Sequence, residues 1–269
     1  MRVVVFGDME GVAGICRWAQ VVAGKPLYEE GRKLYTAEMN AAVRGAFEAG
    51  ATEVVVMDCH GAGGDHSFNS LIAEDLDERC EFVVQSEWTE YTEPFEQGCD
   101  AALMIGMHAM AGAERGVMSH TVSSTGWHSL RFNGTFVGEV GINAALCGTW
   151  GCPVALVTGD DVVCAESSAL LGPGLSTLAV KQGLARFSAR HQPPARARAG
   201  IERAATEALR SLGDAPVYEP GAPCTIEVEL ATPDHAEPYR ARAGVEISEG
   251  RSLTSVADTW LAAWRQFFV

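Results

Sequence analysis

Three side chains of metal-binding type follow short apolar segments in the first half of this sequence of 269 residues. Asp8, His60 and His108 each lie within three residues of the end of such a segment. If the segments are parallel strands of one sheet, their carboxyl ends meet at one edge, where open sheets bind ligands. Imidazole nitrogens and carboxylate oxygens are ligands of zinc. The spacing therefore predicts a metal site assembled from residues far apart in the chain.

Two further carboxylates extend this set. Glu10 follows Asp8 by two residues, and side chains at i and i+2 of an extended chain point the same way. Glu139 begins an apolar helical segment, and Gly138 and Gly141 beside it allow close backbone approach. The mixed nitrogen and oxygen set suits zinc, with manganese or cobalt as substitutes. Five ligands exceed the number that one catalytic zinc uses, so we expect two ions, bridged by Asp8.

Each candidate ligand also has a purely structural explanation. Asp8 can cap a following helix while Glu10 is solvated, and for this pair alone the two explanations are equally good. His60 can be a turn residue and His108 a packed core residue. Glu139 can stabilise the positive end of a helix dipole. The metal hypothesis is favoured because the two histidines take equivalent positions after two different strands.

His120 lies in residues 116–122, an alternating segment that predicts a strand. We interpret it as a proton-transfer or transition-state-stabilising residue beside the metals, with structural packing as the competing explanation. The sequence holds no Gly-x-Ser-x-Gly, P-loop or Gly-x-Gly-x-x-Gly motif. It therefore offers no signature of a serine nucleophile or of a phosphate-binding glycine loop.

The roles of four other polar residues stay open from the sequence. His66 is better explained as an exposed loop histidine, although it can also line the site. His128, in a predicted hairpin, is a weaker candidate for the site. Asp160 and Asp161 follow a predicted strand, so they either cap the next helix or hydrogen-bond residues that form the site.

The elements that must position these residues follow an alternating pattern of apolar strands and helical segments. This pattern is typical of βαβ units and predicts an α/β fold with a mostly parallel central sheet flanked by helices. Helices are expected over residues 28–49, 139–150, 192–212 and 253–268. Asn133-Gly134 is a tight-turn signal and predicts an inserted β-hairpin region attached to the sheet.

The domain organisation is inferred from a proline-rich stretch. Residues 213–223 contain three prolines and are the best linker candidate. We therefore expect a metal-binding catalytic α/β domain over residues 1–212. A smaller C-terminal α+β portion over residues 213–269 follows, either separate or packed as part of the same domain.

Composition limits the partners and the compartment. The formal net charge of −15 argues against nucleic acid, which is bound by neutralising phosphates with Lys and Arg. The chain starts on a strand segment without a leader, and no apolar run reaches the ~20 residues that span a bilayer, so we expect a cytoplasmic protein without a membrane partner. Its eight cysteines include no Cys-x-x-Cys pair and are interpreted as reduced core residues.

Six motifs, in order and spacing, are similar to those of the zinc-dependent D-aminopeptidase family of bacterial dipeptide-transport operons. The resemblance covers roughly residues 1–182 and extends more faintly to the end. The matching segments are Asp8-Met9-Glu10-Gly11, Asp58-Cys59-His60, Gly106-Met107-His108-Ala109, Gly116-Val117-Met118-Ser119-His120, Val137-Gly138-Glu139-Val140-Gly141-Ile142-Asn143 and Gly159-Asp160-Asp161. Any one of them is a weak signal, whereas six in the same order are specific.

The resemblance implies an activity, a metal centre and an assembly. The activity is release of N-terminal D-amino acids from short peptides, with His120 as the catalytic residue. The assembly is a homo-oligomer of stacked rings, a decamer, with active sites that face a channel. The implied ligands of a dinuclear zinc site are Asp8, Glu10, His60, His108 and Glu139.

Two other functions remain open from the sequence. One is a metal-dependent hydrolase of a different bond, such as a phosphoester, although no basic phosphate clamp is evident. The other is a non-catalytic oligomeric protein with a structural metal. Metal content and a substrate panel distinguish these functions from a peptidase.

Overall fold

Strands and helices alternate along most of the chain. The computed structural model describes residues 1–85 and 92–268. The strands are β1 (Arg2–Gly7), β2 (Glu53–Asp58), β3 (Glu81–Val83), β4 (Ala101–Met107), β5 (Trp127–Phe132), β6 (Thr135–Phe136), β7 (Val154–Asp160), β8 (Ser176–Ala185), β9 (Ser188–His191), β10 (Cys224–Leu230), β11 (Val245–Ser248) and β12 (Ser252–Ala257). The helices are α1 (Tyr28–Glu48), α2 (Glu93–Glu96), α3 (Glu139–Thr149), α4 (Asp161–Leu171), α5 (Pro194–Arg210) and α6 (Trp260–Arg265).

Two sheets organise these elements. A seven-stranded sheet has the order β3-β2-β1-β4-β7-β8-β9, and its neighbours are parallel except for β8 and β9. A five-stranded antiparallel sheet has the order β11-β12-β10-β5-β6. The α/β prediction, with its parallel sheet, hairpin and C-terminal α+β part, is confirmed. The hairpin β5–β6 was expected on the parallel sheet, which is wrong: it belongs to the second sheet, because β5 pairs with β10.

The parallel sheet is covered on both faces because its strands are apolar throughout. On β1, Val3 and Val5 face one side and pack with buried residues of α1 and α5. Val4 and Phe6 face the other side and pack with α3, the second sheet and α6. The second sheet and α6 therefore act as the outer layer over one face of the parallel sheet.

Three of the predicted helices form, and the fourth is mostly wrong. Helices α1, α3 and α5 match the expectations at 28–49, 139–150 and the segment after residue 192. Of residues 253–268, the first five belong to β12, where Leu253 and Ser255 are buried in alternation, and only α6 is helical. Thr259 starts that short helix by accepting a hydrogen bond from Ala262 N at 3.2 Å.

The C-terminal portion joins the hairpin in one sheet. Val228 of β10 lies opposite Leu130 of β5, and Ile226 lies opposite Phe132. The boundary proposed at residue 212 stays a prediction. Within the ranges 1–85 and 92–268, no helix combines the length and apolar character that crossing a bilayer requires.

The side of the sheet on which successive strands are added changes between β1 and β4. Strands β2 and β3 lie on one side of β1, whereas β4, β7 and β8 lie on the other. Gly7, at the end of β1, pairs with Asp58 on β2 and with Ile105 on β4. Open α/β sheets bind ligands in the crevice at such a switch point, beyond the carboxyl ends of the strands.

Candidate metal centre

Asp8 lies between two histidines at the switch point. Its Oδ1 atom is 3.0 Å from His60 Nδ1, and its Oδ2 atom is 3.2 Å from His108 Nε2. Asp8 is 2% exposed, His60 4% and His108 1%. Residues that directly follow β1, β2 and β4 therefore converge, as the spacing of the sequence predicted.

Each histidine also faces a second carboxylate. Glu10 Oε2 is 3.0 Å from His60 Nδ1, and Glu139 Oε1 is 3.3 Å from His108 Nε2. The five residues predicted as ligands thus form two half-sites that share Asp8. Glu139 reaches the cluster from the first turn of α3, where its Oε1 also accepts a hydrogen bond from Val122 N at 2.8 Å.

The backbone fixes which ring nitrogen of each histidine carries the proton. His60 Nε2 is 2.7 Å from the carbonyl oxygen of Val21, and His108 Nδ1 is 3.0 Å from that of Ala109. A carbonyl only accepts, so in the neutral rings these nitrogens are the N–H donors. The lone pairs of His60 Nδ1 and His108 Nε2 then point at carboxylate oxygens. Such a contact is stable only with a cation or an added proton between the two groups.

Orphaned polar atoms test whether a metal suits the site. In the described chain, Asp8 Oδ2, Glu10 Oε2 and His108 Nε2 are buried without a hydrogen-bond partner. Asp8, Glu10 and His108 each offer one ligand atom within 4.8 Å of the others, and so do His108, His120 and Glu139. His60 belongs to neither of these clusters, yet its 3.0 Å contacts to two carboxylates place it at the same centre. The mixed nitrogen and oxygen donor set fits zinc.

Protonation balances the charges when no cation is bound. Burial lowers the pKa of His60 and of His108, but the surrounding carboxylates outweigh it and raise both values well above 6.5. Burial likewise raises the pKa of Asp8, but the two histidines outweigh it and hold that pKa well below 3.8. Protons on the imidazoles therefore take the place of cations, and metal binding is expected to release them.

Close backbone contacts hold the strand ends in place. The Asp58 carboxylate accepts hydrogen bonds from His60 N at 3.0 Å and from Tyr35 Oη at 3.1 Å. It therefore holds the main chain of His60 rather than its ring. Gly106 has φ +73°, and a Cβ atom there would overlap the carbonyl of Asp8. Gly11 is similarly pressed against the carbonyl of Met107, so neither position accepts a side chain.

His120 lies beside the cluster, but on a loop and not on a strand. Its ring stacks on that of His108, with centroids 4.0 Å apart and an interplanar angle of 11°. Its Nδ1 atom is 2.9 Å from the Met118 carbonyl oxygen, which leaves Nε2 as the free nitrogen, 3.8 Å from Glu139 Oε1. The predicted strand at 116–122 is wrong because Met118 and Val122 have φ of +54° and +60°, which no strand accommodates.

The other two candidate histidines lie outside the cluster. His66 is exposed in a short turn, and its ring lies edge-on to that of Tyr28, with ring centroids 5.7 Å apart. His128 is exposed on β5 and lines a smaller cavity next to the site. Neither ring is among the grouped ligand atoms of the described residues.

Asp160 and Asp161 support loops. Asp160 caps α4 by accepting a hydrogen bond from Val163 N at 2.8 Å, and it also accepts one from Val117 N at 2.6 Å. Asp161 accepts from Gly183 N at 2.7 Å. Asp160 therefore combines the two roles that were left open, since Val117 begins the loop that carries His120.

Lys181 is a buried residue that holds the loop of Glu10, and the sequence reasoning missed it. Its ammonium group is buried and donates hydrogen bonds to the carbonyls of Glu10, Val12 (3.0 Å) and Ile15 (2.7 Å). Burial lowers its pKa to about 8, although nearby carboxylates oppose the change. A single lysine after the apolar pair Ala179-Val180 was the available signal, because a buried lysine needs partners.

A cavity of about 510 Å³ opens over the cluster. It contains the carboxylates of Asp8, Glu10 and Glu139, and its walls are largely apolar. Asn143 lines it as well, one helical turn after Glu139 on the same face of α3. The apolar wall residues include Trp18, Val21, Val22, Phe68, Val122, Ile142, Trp264 and Phe268. This arrangement can hold a small organic ligand against a metal centre.

This chain is similar to known proteins in both sequence and fold. The family model of peptidase M55, described as D-aminopeptidase, matches residues 1–269. A D-aminopeptidase of Bacillus subtilis (strain 168) is 35% identical over 203 residues, which are 73% of this chain and 69% of that protein. The solved structure of a Zn-dependent D-aminopeptidase from Bacillus subtilis, DppA, described as a self-compartmentalizing protease, superposes with a TM-score of 0.91 and 30% identity over 99% of this chain and 95% of that one. The resemblance found in the motifs is confirmed, and the chain belongs to the D-aminopeptidase family.

Proposed function

We propose that this chain is a zinc-dependent aminopeptidase that releases N-terminal D-amino acids from short peptides. The observation that carries the proposal is the placement of Asp8 between His60 and His108, each of which also faces a carboxylate of its own. The relatives are named D-aminopeptidases, and the solved one is zinc-dependent.

Two zinc ions per chain fit this donor set. Asp8, Glu10 and His60 would hold one ion, and Asp8, His108 and Glu139 the other. When bound, zinc lowers the pKa of water and polarises a peptide carbonyl. The paired orphan oxygens of Asp8 and Glu10 support a cation at this position.

His120 is the proposed catalytic residue. The Met118 carbonyl holds the proton on Nδ1, so Nε2 can accept a proton from the attacking water and pass it to the leaving amine. Stacking on His108 fixes the plane of the ring beside the proposed ligands. The same nitrogen, once protonated, can donate a hydrogen bond to the developing oxyanion.

The carboxylates of the cavity can receive a substrate amino terminus. Asp8, Glu10 and Glu139 contribute carboxylates, and no Lys or Arg is among the described residues that line this cavity. The oxygen atoms of these carboxylates can accept hydrogen bonds from a substrate α-ammonium group beside the metals. Apolar walls surround the side chain and exclude water from the scissile bond.

An assembly and a compartment are part of the proposal. The solved relative is described as self-compartmentalizing, and we propose that copies of this chain stack as rings, a decamer. All eight cysteines are free thiols, which supports a reducing, cytoplasmic location. Native mass spectrometry of the purified protein measures the number of subunits.

Hydrolysis of matched dipeptides by the zinc-loaded protein tests the function. D-alanyl-D-alanine should be cleaved faster than L-alanyl-L-alanine, with about two zinc ions per chain by elemental analysis. His120→Ala should lower turnover roughly a hundredfold with zinc retained, because it removes the proton carrier and no ligand. The matched control His66→Ala, at an exposed histidine, should leave turnover unchanged. Cleavage of p-nitrophenyl phosphate without dipeptide cleavage would support the phosphoesterase alternative instead.

A further inference from the structure

A second cavity of about 310 Å³ adjoins the first. Its lining shares His120 and Ser124 with the larger cavity, so the two spaces meet at the proposed catalytic residue. Among the described residues that line either cavity, Arg186 is the only Lys or Arg. The three carboxylates line the larger cavity, and this guanidinium lines the smaller one.

Aromatic contacts hold Arg186 against the site. Its guanidinium carbon is 5.9 Å from the ring centroid of Trp18 and 5.4 Å from that of Phe187. The Trp18 ring meets the ring of His120 edge-on, with centroids 5.6 Å apart. Arg186 occupies the turn between β8 and β9, and its carbonyl accepts a hydrogen bond from Met118 N at 2.7 Å. The turn is thus tied to the loop that carries His120.

Arg186 has no acidic partner within the described parts of the chain. No carboxylate there forms an ion pair with it within 4.0 Å, in a protein of net charge −15. Arg44, by contrast, is paired with Glu202 at 2.8 Å. The guanidinium therefore keeps its charge and its fork of donors available to an anionic ligand.

We propose that Arg186 binds the C-terminal carboxylate of the peptide substrate and so selects short peptides with a free C-terminus. This inference rests on the proposed aminopeptidase function. A short peptide carries a positive charge at one end and a negative charge at the other. Carboxylate oxygens of the larger cavity accept hydrogen bonds from its ammonium end, and the unpaired guanidinium of Arg186 attracts its carboxylate end into the adjoining cavity, next to His120. Opposite charges at the two ends orient the scissile bond beneath His120.

The test compares a free dipeptide with its amide. The amide D-alanyl-D-alaninamide keeps the ammonium group and the scissile bond of D-alanyl-D-alanine and lacks only the carboxylate. We expect Arg186→Gln to raise KM for the free dipeptide about tenfold with little change in kcat. KM for the amide should change less than about twofold, and Arg186→Lys should recover part of the loss for the free dipeptide.

Arg190→Gln is the matched control. Arg190 lies on the same hairpin, bonds Gln182 at 2.6 Å and lines neither cavity, so its replacement should leave both KM values unchanged. An equal rise in KM for both substrates in Arg186→Gln, or no rise for either, would overturn the carboxylate role. If wild-type protein cleaves neither substrate, the aminopeptidase function itself fails, and that result is distinct from an unchanged ratio between the substrates.

Discussion

Glu38 is a buried carboxylate that hydrogen-bonds the loop after β1. It lies on α1, is 1% exposed, and its Oε1 atom accepts a hydrogen bond from Ala13 N at 3.0 Å. Burial raises its pKa to about 7, although the hydrogen bond from Ala13 and the charge of Lys181 oppose the rise. Because the folded chain holds this proton more tightly than the unfolded chain, Glu38 makes stability depend on pH.

The sign and size of this dependence follow from the two pKa values. The pKa of a glutamate in the unfolded chain is 4.5, against about 7 in the fold. Between these values the folded chain binds more protons, so the free energy of unfolding falls as pH rises. At about 1.36 kcal/mol per pH unit, the full loss is about 3.4 kcal/mol. About 2.5 kcal/mol of it falls between about pH 5 and pH 8. Glu38→Gln has no carboxyl group to titrate and escapes this loss.

Urea unfolding of wild type and Glu38→Gln over about pH 5 to 8 measures the effect, at matched zinc and protein concentrations. The difference in free energy of unfolding should move in favour of the variant by about 2.5 kcal/mol across this range. Glu30→Gln, at an exposed position of the same helix, is the control and should show no such trend. Parallel profiles for wild type and Glu38→Gln would refute the reasoning.

Three other perturbations test how the segment of Glu10 and Gly11 is positioned and whether the protein binds zinc. Gly11→Ala should lower the free energy of unfolding by about 3 kcal/mol and reduce the zinc content, because the added Cβ would overlap the Met107 carbonyl. The control Gly213→Ala adds a Cβ that meets nothing within 4 Å, so stability and zinc content should stay unchanged. Lys181→Met leaves the carbonyls of Glu10 and Ile15 without their donor, which costs about 1–3 kcal/mol of stability for each carbonyl and is partly offset by removal of a buried charge. The zinc affinity of this variant, measured with a competitive chelator, should fall. An affinity equal to that of the wild type would contradict the role of Lys181. Removing zinc with a chelator should lower the melting temperature by roughly 10 °C and added zinc should restore it, since a ligand at about a thousandfold its Kd contributes about 4 kcal/mol; an unchanged melting curve would argue against a bound metal.

The convergence of the candidate ligands was predictable from the sequence because it depends on a few general rules. Apolar runs marked the strands, and parallel strands place the residues that follow them at one edge. Asp8, His60 and His108 therefore needed no coordinates to be grouped. Glu139 was less certain, since its position at a helix start has an equally simple electrostatic explanation.

The parts that sequence reasoning missed depend on contacts between distant segments. The loop of His120 has the alternation of a strand, but Val117 and Met118 are buried on an irregular backbone with positive φ at Met118 and Val122. Residues 253–257 are apolar enough for a helix, yet pairing of β12 with β10 decides their conformation. Lys181 and Arg186 act through carbonyls and rings far away in the chain, which no local pattern reveals.

The shared sheet of the hairpin and the C-terminal strands also bears on how the protein matures. His120 and Glu139 flank the hairpin β5–β6, and the partner of that hairpin, β10, is made much later during synthesis. Until Val228 reaches Leu130, the hairpin has no neighbour on that side. Non-local pairings of this kind form late in folding. On the ribosome, Asp8 and His60 should therefore come together early, whereas the complete metal pocket should form only near the end of translation.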